Sequence, residues 1–450
     1  MKLERMARVA VGAALTVATA AAASGSQVQY QTFRPAGTVP PILSEWEQVK
    51  IMETQLRWRQ RHVVPEVMRR AGIDVWIIGR GEGVGYLSLI EADDEGLVPG
   101  RPDLLVFVDA GQEVSRQQLD VEDLQAALVA ATPRRLAIAP STRERLGENF
   151  QGSFEELYGD VAIDSELLVR GFLEKRSPAE LVLFDSVARI AHEIIAESFS
   201  NRTIIPDLTT SDELNWWIRQ RYIDLGLPTS DHPTITVQRS RLERSKYTED
   251  DEHFRVDIPP RNGYNTVIRR GDVISNDTGI NYLALGTDTQ QVGYVLHLGE
   301  TEPPAGLLRA MANTVRLQEL FAAEFVDGRP AYEIVGAALS NARAEGLRAE
   351  IYSHPIPYFL KRYSLNGGFF RNVRHGAGPS LDAAGSDGPT RRGRYPVFAR
   401  TAYAMELDTV TSVPEWGGQD VRIVLEQTIA FDGERVIFLG GRQTELYVIR

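Results

Sequence analysis

From Ser177 to its C-terminus, the sequence twice places a pair of amphipathic helices before a group of strands. Ser177 is followed by Pro178 and Glu180, a capping box with proline at the first helical position. Thr210 and Glu213 form a second capping box. These signals and the apolar periodicity predict helices over 178–200 and 211–225, strands between 234 and 298, helices near 304–325 and 331–345, and strands thereafter. Hairpin-like connections between the strands favour an α+β fold over a doubly wound sheet.

The sequence before this duplication predicts a smaller α/β domain. Its periodicity indicates a helix over 43–72, strands at 74–79, 103–110 and 134–140, and a helix near 117–131. We therefore predict an N-terminal domain over 43–165 and a second domain over 166–450. Residues 25–42 are rich in Pro, Gly, Ser and Thr and predict a linker.

The first residues have the pattern of a secretory signal peptide. Lys2, Arg5 and Arg8 precede an apolar run over 9–23 that ends in small residues, so we expect a signal peptide over 1–24. The run is shorter than the roughly 20 residues that span a bilayer, although a helix retained as an anchor is the alternative. We expect an exported protein, periplasmic or secreted, with no membrane association after signal removal.

Composition limits the partners. The hydrophobic content of 43% and charged content of 24% are those of a soluble globular protein. The net charge of −12 argues against nucleic acid or an anionic membrane as the main partner. The chain has no cysteine, so no disulfide supports the fold.

Five residues of the second domain are the ligand types that divalent cations use. Asp277 and Asp288 stand eleven residues apart, and His354, Glu406 and Glu426 follow. Four carboxylates carry four negative charges, which two divalent cations would neutralise. Carboxylates with one imidazole favour Mn²⁺, with Co²⁺ or Zn²⁺ as alternatives. Two such ions can share a hydroxide and stabilise a tetrahedral intermediate, so the sequence predicts a hydrolase.

In order and approximate spacing, these residues resemble the ligand set of the pita-bread metallopeptidases, which include aminopeptidase P, prolidase and methionine aminopeptidase. The resemblance is carried by GDVISNDTGINY with TDTQQ, by HGAGPSLD and by VPEWGGQDVRIVLEQ, and it covers roughly residues 45–450. It implies a C-terminal pita-bread domain, a duplicated helix pair with antiparallel strands, behind a creatinase/prolidase-type N-terminal domain. The chain looks like an exported, bacterial-type member, and because relatives often dimerise, a homodimer is the candidate assembly.

The resemblance also implies individual roles. Asp277 would bind one metal ion alone, Asp288 and Glu426 would contact both ions, and His354 and Glu406 would complete the other site. Glu406 would in addition act as general base or proton relay.

The histidines leave two interpretations open. In relatives a second histidine follows the metal histidine after seven residues, whereas here His375 follows His354 after twenty-one. Residues 357–374 between them predict an inserted β-hairpin with an Asn-Gly-Gly turn. On the first interpretation His354 is the ligand and His375 stabilises the developing oxyanion. On the second, His375 is the ligand, Asp382 occupies the companion position and His354 is structural.

Two further positions bear on the substrate. Relatives usually carry a histidine some seventeen residues before the first aspartate, where this chain has Pro260; His232 and His253 are the nearby candidates. This departure concerns proline-peptide chemistry rather than metal binding. Trp416 could either line a substrate pocket or pack in the core.

These observations predict a two-metal hydrolase of peptide substrates, an Xaa-Pro aminopeptidase or dipeptidase, in which a hydroxide bridging both ions attacks the scissile carbonyl. One alternative is a catalytically degenerate relative that binds peptides or another protein. Another is a creatinase-like C–N hydrolase, which shares the fold without metals. The four acids disfavour the latter, because a site without metals has no electrostatic reason to retain them.

Overall fold

In this computed structural model the described residues are 30–79, 104–150, 152–227, 232–246, 266–356, 376, 378–385 and 388–450. The predicted signal peptide over 1–24 lies outside them. Thr32–Arg450 form one compact unit, and the predicted division at residue 166 stays a prediction. Within the described ranges no helix has the length and apolar character needed to cross a bilayer.

A five-stranded mixed sheet organises the N-terminal part. Its elements are α1 (Glu45–Ala71), β1 (Val75–Gly79), β2 (Leu104–Asp109), β3 (Val114–Leu119), α2 (Val121–Ala131), β4 (Leu136–Ile138), α3 (Pro140–Asn149), α4 (Phe154–Tyr158), β5 (Ala162–Asp164) and α5 (Glu166–Glu174). The strand order is β3-β2-β1-β4-β5, in which β1 is antiparallel to β2 and parallel to β4. The predicted strands and helices of this region are confirmed to within a few residues.

The two faces of this sheet bury alternate residues of the same strand. Trp76 and Ile78 of β1 pack in one apolar cluster with α1 and α5, whereas Val75 and Ile77 pack in another with α2 and α3. Successive strand side chains point to opposite faces, so a wholly apolar strand such as β1 requires helices on both sides.

The second part contains the duplicated elements. They are α6 (Pro178–Ser198), α7 (Ser211–Asp224), β6 (Thr234–Gln238), α8 (Arg241–Arg244), β7 (Val273–Thr278), β8 (Asn281–Tyr282), β9 (Leu285–Gly286), β10 (Thr289–Val295), α9 (Ala305–Ala322), α10 (Ala331–Ala344), β11 (Arg348–Pro355), β12 (Leu381–Asp382), β13 (Thr401–Val413), β14 (Gln419–Phe431), β15 (Val436–Phe438) and β16 (Tyr447–Ile449). The predicted helix pairs and the strand groups after them are confirmed, so the chain is α+β.

The large sheet consists of two halves, whose strands follow the chain order in opposite directions across the sheet. Its strands follow the sequence β12-β11-β13-β14-β10-β7-β6, with β15 beside β14 and β16 parallel to β10. The half made from β6, β7 and β10 therefore meets the half made from β11, β13 and β14 where β10 and β14 adjoin. One ladder pair, Gln290 with Glu426, joins these two strands.

Both predicted capping boxes form. The hydroxyl of Ser177 accepts the backbone N–H of Glu180, whose carboxylate accepts the N–H of Ser177, and Thr210 and Glu213 repeat the arrangement. The Glu180 carboxylate also forms a buried ion pair with Arg59 of α1, at 3.2 Å. The start of α6 is thus bonded to the helix that begins the N-terminal part.

Residues 32–42 of the predicted linker are bonded to the second part of the chain. The N–H of Phe33 donates to the carbonyl of Arg442 at 2.8 Å. The N–H of Ala36 donates to the carboxylate of Glu193 on α6 at 2.7 Å. These residues are therefore held against the second part, although their composition predicted a linker.

One fully buried histidine of α6 should make folding sensitive to acid. The ring of His192 lies 4.9 Å from that of Phe33, and burial lowers its pKa to about 3. The native state would thus leave His192 neutral at a pH where the unfolded chain, with a histidine pKa near ~6.5, takes up a proton. This contribution to stability is present above the unfolded pKa and is lost as pH falls toward the folded pKa.

We predict that His192→Gln reduces the acid sensitivity of unfolding. Between pH 7 and pH 5, the unaltered protein should lose about 2 kcal/mol more unfolding free energy than the variant, because only its unfolded state gains this proton. Urea unfolding of both proteins at each pH measures the difference. Equal pH dependence would show that His192 is not neutral in the folded state.

Candidate metal centre

The strand register brings three of the predicted ligands into one row across the large sheet. Asp277 on β7 stands opposite Gln290 on β10, Gln290 stands opposite Glu426 on β14, and Glu426 stands opposite Glu406 on β13. Directly paired residues of antiparallel strands point to the same face, with Cβ atoms about 4.5–5.5 Å apart. The three acids therefore share one face, although up to 149 residues separate them in sequence.

His354 completes the cluster. It stands on β11, and its Nε2 atom lies 3.4 Å from Glu426 Oε1, 3.6 Å from Asp288 Oδ2 and 4.0 Å from Glu406 Oε2. Ligand atoms of Asp288, His354 and Glu426 all lie within 4.8 Å of one another. Asp277 is not a member of this group of three within the described ranges, and its role as a ligand stays a prediction.

The backbone next to His354 favours the tautomer that a metal ligand needs. Nδ1 lies 3.4 Å from the carbonyl oxygen of Pro355. A proton on Nδ1 directed at this oxygen leaves the lone pair on Nε2, which is the nitrogen that faces the carboxylates. Metal-binding histidines are commonly oriented in this way.

The donor set fits divalent cations. Glu426 is 2% exposed and His354 is 7% exposed, so part of this charge is withdrawn from water. A buried carboxylate is unfavourable unless a cation or hydrogen bonds compensate it. Oxygen donors with one imidazole suit Mn²⁺ and related ions. Asp277, Asp288, His354, Glu406 and Glu426 would hold these ions, while their number and identity stay predictions.

Two hydroxyl side chains hold the backbone of two of these acids. Thr428 Oγ1 accepts the N–H of Asp288 at 3.2 Å and donates to its carbonyl at 3.0 Å. Ser353 Oγ does the same for Glu406, with both distances 2.9 Å. The sequence reasoning missed both residues, because these contacts depend on the register of neighbouring strands.

Tyr352, Asp408 and Arg422 form a polar group on neighbouring strands. Tyr352 donates to Asp408 Oδ2 at 3.1 Å, and Asp408 forms an ion pair with Arg422. Burial raises the pKa of the Tyr352 phenol, and the negative charges of Asp408 and Glu406 raise it further. Tyr352 therefore remains a hydrogen-bond donor beside Glu406 at neutral pH.

The other predicted catalytic residue, His375, and the predicted insertion over 357–374 lie outside the described residues. The chain on either side of them is held together. The N–H of Gly376 donates to the carbonyl of Pro355 at 2.7 Å, and Arg392 donates to the carbonyl of Gly376 at 2.5 Å. The role of His375 stays a prediction.

The remaining candidates are Pro260, His253, His232 and Trp416. Pro260 and His253 are outside the described residues. The ring of His232 lies 5.0 Å from that of Trp216. Trp416 is 6% exposed and packs in an apolar cluster with residues of α9, so of its two readings the structure supports core packing.

The fold is shared with solved peptidase structures. The X-Pro aminopeptidase from Thermotoga maritima MSB8 matches with a TM-score of 0.51 and 15% identity, covering 85% of this chain and 99% of that one. The dipeptidase PepE from Mycobacterium ulcerans matches with a TM-score of 0.52 and 14% identity, covering 89% and 98%. No family model and no curated protein matches the sequence. The predicted fold class, an α+β pita-bread domain with a smaller N-terminal α/β domain, is confirmed.

We predict that removing the side-chain hydroxyl of Thr428 or of Ser353 destabilises the protein. Thr428→Val, which preserves side-chain shape, and Ser353→Ala should each lower the unfolding free energy by about 1–2 kcal/mol, because two partly buried backbone groups lose their partner. The exposed Ser412 donates to the Gly418 carbonyl, and Ser412→Ala should change stability by less than ~0.5 kcal/mol. Urea unfolding of the metal-free proteins measures these effects; equal stability of all three variants would contradict the prediction.

Proposed function

We propose that this chain is a metal-dependent peptidase with two divalent cations, which acts as an Xaa-Pro aminopeptidase or dipeptidase. The observation that carries the proposal is the position of His354, within 3.4–4.0 Å of carboxylates from three different parts of the sheet. A fold shared with an X-Pro aminopeptidase and a dipeptidase supports the substrate class.

Each residue of the cluster has a separate task in this proposal. Cations bound there would polarise the peptide carbonyl and acidify a water molecule. Glu406, whose side chain is 23% exposed, accepts the proton of the attacking water and returns it to the leaving amine. His375 donates a hydrogen bond to the developing oxyanion.

The rest of the proposal concerns location and specificity. The basic and apolar residues before position 24 support export to the periplasm or medium. Because Pro260 stands where relatives have a histidine, the test compares substrates with and without proline. A homodimer is part of the proposal only through the resemblance.

The test is hydrolysis of matched Xaa-Pro and non-proline peptides by the metal-depleted protein, with and without added Mn²⁺. We expect release of the N-terminal residue, or cleavage of the dipeptide, only with the metal. Asp288→Ala should lower kcat/KM by more than ~100-fold, because loss of a direct ligand should exceed the ~10-fold to 100-fold cost of losing an outer partner. Asp420→Ala, the same change at an exposed ion pair with Arg348, should retain activity.

The outcomes separate the competing functions. Absence of bound metal, together with no hydrolysis of any peptide, would favour the degenerate, peptide-binding relative. Hydrolysis that is equal with and without metal, or equal in the Asp288→Ala variant, would overturn the assignment of the centre. Cleavage of non-proline peptides alone would retain the peptidase and reject the Xaa-Pro specificity.

A further inference from the structure

We propose that Gln290 supplies its side-chain amide oxygen to this centre as a further, neutral metal ligand. The inference rests on the proposed function, because it requires that the cluster binds divalent cations. It adds a residue to the set of acids and histidine that the sequence indicated.

The first argument is position. Gln290 is paired with Asp277 on one side and with Glu426 on the other, so it occupies the middle of the row. Asp288 precedes it by two residues and lies immediately before β10, which begins at Thr289. Direct partners across antiparallel strands have Cβ atoms about 4.5–5.5 Å apart, so the Gln290 side chain is flanked by both carboxylates.

The second argument is the hydrogen bonding of the amide. Gln290 is 7% exposed, and its Nε2 donates to Ser275 Oγ at 3.2 Å, which in turn is bonded to Thr236. Oε1 accepts no hydrogen bond from any residue that the structure describes. This oxygen retains some contact with solvent, so it is accessible to a ligand. Because Nε2 is held by Ser275, the amide has a fixed orientation, and a cation would satisfy its oxygen.

The third argument is chemical. Amide oxygens are ordinary ligands of cations that prefer oxygen. A neutral ligand leaves the charge balance of four carboxylates and two divalent cations unchanged while it raises the coordination number. Carbonyl and carboxylate ligands suit Mn²⁺ and Mg²⁺ better than they suit softer ions, so Gln290 should favour Mn²⁺ over Zn²⁺.

The experiment compares matched variants of adjacent glutamines by calorimetric titration of the metal-free, full-length protein with Mn²⁺ and with Zn²⁺. Gln290→Met keeps the length of the side chain without the oxygen. Gln291→Met is the control, because Gln291 follows on the same strand, is fully buried, and accepts instead from the Tyr447 hydroxyl at 2.9 Å. We expect Gln290→Met to weaken at least one Mn²⁺ site by about 10-fold to 100-fold and Zn²⁺ binding less. The control should bind both metals as the unaltered protein does.

A second measurement requires no variant. In crystals of the unaltered protein soaked with Mn²⁺, anomalous scattering should place an ion within ~2.5 Å of Gln290 Oε1. A bound ion farther from this oxygen, or unchanged Mn²⁺ affinity in folded Gln290→Met, would overturn the role of Gln290 and leave the proposed function intact. If the unaltered protein takes up no divalent cation, the proposed function itself fails, and the inference fails with it.

Discussion

The constraint on which the site depends is the repulsion between carboxylates held on one face of the large sheet. Strand pairing fixes the backbone positions of Asp277, Glu406 and Glu426, so these residues cannot move apart unless the strands separate. Partial burial strengthens this repulsion, because the effective dielectric constant is lower inside the protein than in bulk water. The clustered carboxylates therefore favour the binding of cations, and both proposals follow from this preference.

Much of the architecture was accessible from local sequence signals. The capping boxes at Ser177 and Thr210 mark helix starts through bonds within one turn, and such signals survive in any tertiary context. The short, continuous apolar runs at 74–79 and 103–110 likewise indicated strands through their length and composition.

The parts that escaped sequence reasoning depend on register and packing between distant segments. Gln290 has no motif, and it joins the row only because β14 pairs with β10 at that residue. Ser353 and Thr428 act on the backbone of acids 53 and 140 residues away. Residues 32–42 have the composition of a linker, yet the N–H groups of Ala36 and Phe33 donate to Glu193 and Arg442. Composition indicates the local conformational tendency of a segment, whereas its tertiary contacts decide whether the segment is ordered.

The contact between β10 and β14 has a consequence for the large sheet as a whole. The two halves of the sheet are joined by the ladder pair of Gln290 with Glu426, by the Thr428 hydroxyl, by the hydrogen bonds of Gln238 with Arg422 and by a shared apolar cluster, and each half contributes acids to the row. An ion held by residues from both halves would add a cross-link between them. Ion binding and the cohesion of the halves would then be thermodynamically coupled, so chelation would lower the free energy of unfolding.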